Sequence, residues 1–214
     1  MEIIDNLQNL NNLDSESVVT IGNFDGIHAG HKELINETLA LANVNNMNPV
    51  VLTFDPLPEE FFERKNFFKL MPIADKLECF QKAGIKTVIK IPFTKKFSET
   101  SATTFIQEIL INKLQTRHLI VGEDFKFGRN RDGNYNTLSN EKKFKTKKIS
   151  IIKDSDTKIS SSMIRDLIVA GDIEKGNGYL LNEFAMDGYI VHGEKIGRKL
   201  GYPTANIEIC KSFP

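Results

Sequence analysis

The chain has 214 residues, with 28 basic side chains against 28 acidic ones and a formal net charge of +0. This balance excludes the basic excess of a nucleic-acid binder and the acidic excess of a solvating tail, and 40% hydrophobic with 26% charged residues is the composition of a globular fold. No apolar run is long enough to span a bilayer, and MEIIDNLQNLNNL lacks the basic start and apolar stretch of a signal peptide. A cytoplasmic protein is therefore expected, without nucleic-acid or membrane partners; oligomeric state leaves no signal. Cys79 and Cys210 match no metal or redox spacing and read as free thiols in a reducing compartment.

Short apolar runs alternate with helical patterns. SVVTIG (17–22) reads as a buried strand, and His31 to Ala42 as a helix. A strand at 49–54 is ended by Pro56 and Pro58, and a helix over 72–84 opens on proline and stops at glycine. Next come a strand at 86–91, a helix over 101–114 with Phe105, Ile109 and Leu110 on one face, and a strand at 117–122. NEKKFKTKK (140–148) reads as a solvated charge run leading into a fifth strand at 147–153. A last helix over 160–171 ends at Gly171. The alternation predicts an α/β fold, a Rossmann-like parallel sheet with helices on both faces. In such sheets ligands bind outside the carboxyl ends of the strands, where the strand order reverses. The loops after residues 22 and 122 and the segment before Ile159 should meet there. Residues 172–183 read as a linker or short helical connection, and 184–209 as two strands around a glycine-rich loop, a second domain begun and not finished.

The stretch VVTIGNFDGIHAGHKELI (18–35) places two histidines at a strand-to-helix turn. Gly22 and Gly26 permit a tight turn, and the helix behind it points unpaired N–H groups and a positive dipole end at the same space. His28 and His31 add imidazole donors suited to phosphate oxygens. The P-loop lysine and the dinucleotide glycine spacing are both missing, which suggests chemistry on a phosphate and not cofactor docking. Two surface histidines in a glycine turn is the other reading. A metal site lacks further Cys or His nearby, so no metal ligand is assigned.

GNFDGIHAGH resembles the H-x-G-H signature of nucleotidyltransferases, in the form found in bifunctional riboflavin kinase/FAD synthetases. VVLTFDPLPEEFF, VGEDFKFGRNRDG, ISSSMIR and GRKLGYPTANI resemble further elements of that family, in its order. The resemblance implies FMN adenylyltransferase activity, with ATP and FMN as substrates, FAD as product and Mg²⁺ accompanying ATP. It implies catalytic roles for His28, His31 and Arg165, with the Arg165 guanidinium on the leaving pyrophosphate. It implies ATP contacts from Gly22, Asn23, Phe24, Asp25, Gly30, Ser160, Ser161 and Ser162, and flavin contacts from Asp124, Phe125 and Phe127. The plainer readings are an N-cap for one serine, a solvated helix arginine, and core phenylalanines. Arg129 and Arg131 stay unassigned.

Leu57 stands where the family usually has histidine, which puts any ligand contact there in doubt, and Ser162 stands in place of its threonine. Residues 1–183 are expected to form the adenylyltransferase domain and 184–214 the opening of a riboflavin kinase barrel, with Thr204 and Asn206 in a vestigial Mg–ATP motif. The chain as given is expected not to phosphorylate riboflavin. The alternatives are another H-x-G-H adenylyl- or cytidylyltransferase, which would not explain GYPTANI, and an inactive flavin- or nucleotide-binding fragment.

Overall fold

The computed structural model describes all residues except Asn11, Asn66, Asp187, Glu194, Lys195, Pro203 and 210–214, so Cys210 lies outside the described residues. Five strands come first: β1 (Glu2–Ile4), β2 (Ser17–Ile21), β3 (Asn48–Phe54), β4 (Thr87–Ile91) and β5 (Thr116–Gly122). A short hairpin, β6 (Lys126–Phe127) and β7 (Gly133–Asn134), precedes β8 (Lys145–Ile149). Strands β1 to β5 and β8 make one sheet in the order β1-β4-β3-β2-β5-β8, and every pairing is parallel. The order reverses at β2, which has β3 on one side and β5 on the other.

The β-branched alternation in the central strands sends side chains to two cores. Val19, Ile21, Leu52, Ile89, Leu119 and Val121 pack on one face with Phe105, Ile109 and Leu110. Val18, Val51, Val88 and Ile120 pack on the other, with Leu34, Ile35 and Phe80. The Ala29–Asn45 and Ile73–Ala83 helices thus cover one face. The opposite face is covered by Ala102–Thr104, which runs on as a π-helix, Phe105–Lys113. The proline start and glycine stop of the second helix hold: Pro72 caps it and Gly84 closes it at φ 99°.

One strand was not predicted and one expectation changes. The N-terminal residues supply β1, paired on β4, which three residues of weak pattern do not reveal. The fifth predicted strand is shifted: the charge run itself is β8, KTKKI, pairing His118 with Lys145. Lysines suit that position because β8 is an edge, where charge discourages pairing with another chain. Residues 153–158 instead form a hairpin of β9 (Lys153–Asp154) and β10 (Thr157–Lys158).

A third cluster, Phe68, Leu70, Ile164, Ile168 and Leu180, fastens the Ser161–Val169 helix below the β2 turn. Gly26 is the tightest point of this contact. Its φ is +79°, and a Cβ built there would lie 2.5 Å from Leu180 Cδ2. Gly26→Ala should cost about 1–3 kcal/mol through backbone strain and overpacking. The check is a urea titration, in which the midpoint should fall at constant m-value. The Ile173–Gly178 helix then leads to a two-stranded antiparallel ribbon, β11 (Gly188–Val191) and β12 (Asn206–Ile209), with Tyr189, Ile190 and Ile207 exposed. Among the described residues no helix is long and apolar enough to cross a membrane.

Candidate active site

The carboxyl ends of β2, β3, β5 and β8 open into a cavity of about 1200 Å³, lined among others by Ile21, Gly22, Phe54, Gly122 and Ile149. It sits at the point where the strand order reverses, the expected position for a ligand in this architecture. The three segments singled out in the sequence all contribute, through His28 and His31, Asp124 to Arg131, and Lys158 to Ser161.

The turn after β2 is held in an uncommon conformation. Phe24 and Ile27 have φ of +49° and +43°, on either side of Gly26. The helix starts at Ala29, two residues earlier than the pattern predicts, so His28 becomes its N-cap and His31 falls in its first turn. The His28 side chain makes no capping hydrogen bond. Instead the two imidazoles stack, with centroids 3.8 Å apart and planes 20° apart. Gly30 makes room for this pair, since a Cβ there would lie 3.2 Å from His28 Cε1. The Nδ1 atoms of both rings are buried and have no hydrogen-bond partner. Buried polar atoms are seldom left so, and both histidines are among the residues that line the cavity.

Burial holds both imidazoles neutral. His28 is pushed down to about 4 by burial, reinforced by the nearby Lys158 charge. His31 is held well below its ordinary value by burial, then by His28 and Lys76. The free protein therefore presents uncharged donors at pH 7. An unfolded chain would protonate both histidines near pH 6.5. The folded chain does not, so stability should fall as pH drops from 7 towards 4, by about 2 kcal/mol between pH 7 and pH 5 for His28. Urea titrations at the two pH values check this, and His28→Phe should flatten the dependence.

Other residues named from sequence fall differently. Asn23 and Gly22 line the cavity, and Asn23 Nδ2 donates to Glu59 Oε2 at 2.9 Å. Phe24 is fully buried, packed against Phe80 at 5.3 Å and His31 at 5.1 Å, beneath the site instead of in it. Asp25 is also outside the cavity lining. Its carboxylate accepts from Leu70 N at 3.1 Å and from the Arg165 guanidinium. Arg165 is likewise buried, with Nε donating to Phe68 O at 2.7 Å and the guanidinium 4.6 Å from the Phe67 ring. The expected contact of Arg165 with the leaving pyrophosphate has no counterpart in this geometry: Arg165 is not among the cavity-lining residues, and its Nε and one terminal nitrogen are bonded to Phe68 O and Asp25. The shared face of Ser161 and Arg165 is real but points to Asp25, whose carbonyl accepts from Ser161 Oγ at 2.9 Å.

Ser160 is the helix N-cap, accepting from Met163 N at 3.3 Å; it and Ser161 line the cavity, while Ser162 is exposed outside it. Asp124 lies at the cavity wall in an ion pair with Lys158. Phe125 and Phe127 both line the cavity. They stack on each other with centroids 5.6 Å apart, too close to admit a ring between them. The aromatic character of the cavity comes from a wider set that sequence reading missed: Phe54, Phe62, Phe93, Phe97 and Phe105 also line it. Phe93 joins these rings edge-on, to Phe54 at 5.7 Å, Phe62 at 5.7 Å and Phe97 at 5.6 Å. Their helical and loop spacing reads as ordinary core, and only the fold converges them. Leu57 is buried in the core and makes no cavity contact. Thr204 and Asn206 belong to the glycine-rich segment, where Cβ atoms on Gly197 and Gly193 would meet their side chains. No cluster of three or more His, Cys, Asp or Glu side chains fit for a metal ion occurs among the described residues.

Comparison with known proteins bears on the family and the fold. The FAD synthetase family model matches residues 10–163, and the riboflavin kinase model matches residues 180–214. A bifunctional riboflavin kinase/FMN adenylyltransferase of Buchnera aphidicola subsp. Schizaphis graminum is 40% identical over 219 residues, covering 100% of this chain and 70% of its own. The enzyme of the same name from Escherichia coli K12 is 31% identical over 214 residues, covering 98% of this chain and 68% of its own. A crystal structure described as a macrolide-efflux protein from Streptococcus pneumoniae superposes with a TM-score of 0.84 at 27% identity, over 99% of this chain and 70% of that one. The chain thus belongs to the bifunctional riboflavin kinase/FMN adenylyltransferase family.

Proposed function

We propose that this chain transfers AMP from ATP to FMN, giving FAD and pyrophosphate. The observation that carries the reading is that the stacked His28–His31 pair lines the same cavity as a wall of phenylalanines. One end suits a triphosphate and the other a flat aromatic acceptor, which favours a flavin over a non-aromatic phosphate acceptor.

An FMN phosphate oxygen attacks the α-phosphorus of ATP in line. The new P–O bond forms as the bond to the β-phosphate oxygen breaks, and pyrophosphate carries away the electron pair. A phosphate dianion is already a nucleophile, so the protein's task is positioning and charge stabilisation. His28 and His31 donate to phosphate oxygens. The N-terminus of the Ser161–Val169 helix faces the phosphates, with Ser160 and Ser161 at its mouth. Asp25 and Arg165 hold that helix against the turn. Mg²⁺ brought in with ATP would supply charge neutralisation at the phosphates, and no side chain among the described residues is assigned to hold it. The phenylalanine wall receives the isoalloxazine, and Arg129 and Arg131, at the same wall, suit a phosphate.

We assign residues 1–183 to this adenylyltransferase unit and 184–214 to the opening of a riboflavin kinase unit containing Thr204 and Asn206. The exposed ribbon supports that division, since among the described residues its Tyr189, Ile190, Val191 and Ile207 belong to none of the three cores. The cytoplasm, where ATP and free thiols such as Cys79 persist, is the compartment this reading implies. The test is incubation with ATP, Mg²⁺ and FMN, followed by chromatography of the flavins. FAD with equimolar pyrophosphate is expected. FMN binding without either product would establish a binding protein instead.

A further inference from the structure

Lys76 was not singled out by any motif, because one lysine on an amphipathic helix ordinarily points to solvent. Here it is 2% exposed. Its Nζ donates to the main-chain carbonyl of Asn23 at 2.8 Å, an acceptor shared with Thr53 Oγ1 at 3.3 Å. Asn23 is the cavity-lining residue of the turn that carries Phe24, Gly26 and Ile27 at positive φ. A buried ammonium is retained only where its contacts offset the desolvation, so this position calls for a role.

We propose that Lys76 is a positioning residue for the adenylyl-transfer site: from behind the Asn23 carbonyl it holds the strained turn that presents His28 and His31 to the triphosphate. The inference rests on the reading of the site given above. Lys76 also acts by charge. The groups facing it are Asp25 in the turn, Asp55 after β3, Lys69 and Glu60, with His31 on the neighbouring helix. Asp25, Asp55 and Glu60 favour its ammonium, whereas burial, the largest influence, and Lys69 oppose it, leaving it at about 8. At pH 7 the ammonium predominates and works against a proton on His31. Lys69 cannot substitute, since its ammonium is bound to Asp55 at 3.1 Å and Glu60 at 2.9 Å.

The test compares Lys76→Met, Lys76→Gln and Lys76→Arg in the full chain. The readouts are FAD formation from pH 5 to 9, thermal unfolding, and NMR titration of the His31 ring. Lys76→Met should lower kcat about tenfold or more at saturating ATP with KM changed less than threefold, while the His31 titration moves to higher pH. Lys76→Arg, which keeps charge and donor, should recover most of kcat. Lys76→Gln keeps a donor alone, and its His31 titration should move as in the methionine variant. An unchanged His31 titration together with a kcat loss that tracks the unfolding temperature would overturn the proposal and leave Lys76 a purely structural residue. The NMR arm needs no turnover. If the wild-type chain makes no FAD, the functional reading fails, while the His31 shift still decides whether Lys76 controls that ring.

Discussion

Alanine in place of His28 should lower the rate of FAD formation by about 10²–10³-fold at saturating ATP and FMN, the usual cost of deleting one pre-placed donor to charge developing in a transition state. The expectation rests on three features of the ring. It is held in place by stacking on His31 at 3.8 Å, it is kept neutral by burial, and its Nδ1 has no protein partner. A group with no internal partner contributes little to the fold through hydrogen bonding, so its loss should fall on the chemistry. Steady-state kinetics separates the effects: kcat should fall while KM for ATP changes little. His31→Ala should act in the same direction with some loss of stability, because His31 also packs on Phe24. A His28→Ala variant with near-normal kcat would remove the histidine pair from the mechanism.

Alanine at Arg165 should destabilise the protein by about 3–5 kcal/mol, the cost of leaving a buried charge without its partner. The guanidinium and the Asp25 carboxylate are 11% and 2% exposed, so neither can turn to water. The pair ties the Ser161–Val169 helix to the β2 turn, and the bond from Arg165 Nε to Phe68 O adds a third segment. Asp25→Asn should cost a comparable amount. The double change Asp25→Asn with Arg165→Ala should cost less than the sum of the two single changes, since it leaves neither member of the pair charged and unpartnered. Chemical denaturation of the four proteins measures this directly. If Arg165→Ala keeps the wild-type midpoint but loses affinity for ATP, the arginine serves the phosphates and its bond to Asp25 is incidental.

The sheet was legible because β2, β3, β4 and β5 are short β-branched runs separated by helices with clear stops, as at Gly84 and Gly171. The His28–His31 turn was legible because glycine, histidine and a helix start are close in sequence. What escaped the reading depends on tertiary placement. A lysine-rich run such as 145–149 looks solvated, and it becomes an edge strand only because β5 offers it a ladder. Asp25, Arg165 and Lys76 look like ordinary charged residues until the packing buries them. Phe54, Phe62, Phe93 and Phe97 come from separate segments, and nothing local distinguishes a cavity wall from a core. For the same reason the stacking of Phe125 on Phe127, two apart on one short stretch, is not visible in the sequence.

The most direct measurement follows the label from [α-³²P]ATP and, in parallel, [γ-³²P]ATP during incubation with FMN. The account predicts that α-label enters FAD, γ-label enters pyrophosphate, and both transfers are lost together in His28→Ala. Label from neither nucleotide in flavin or pyrophosphate, or α-label transfer that survives loss of His28, would contradict it.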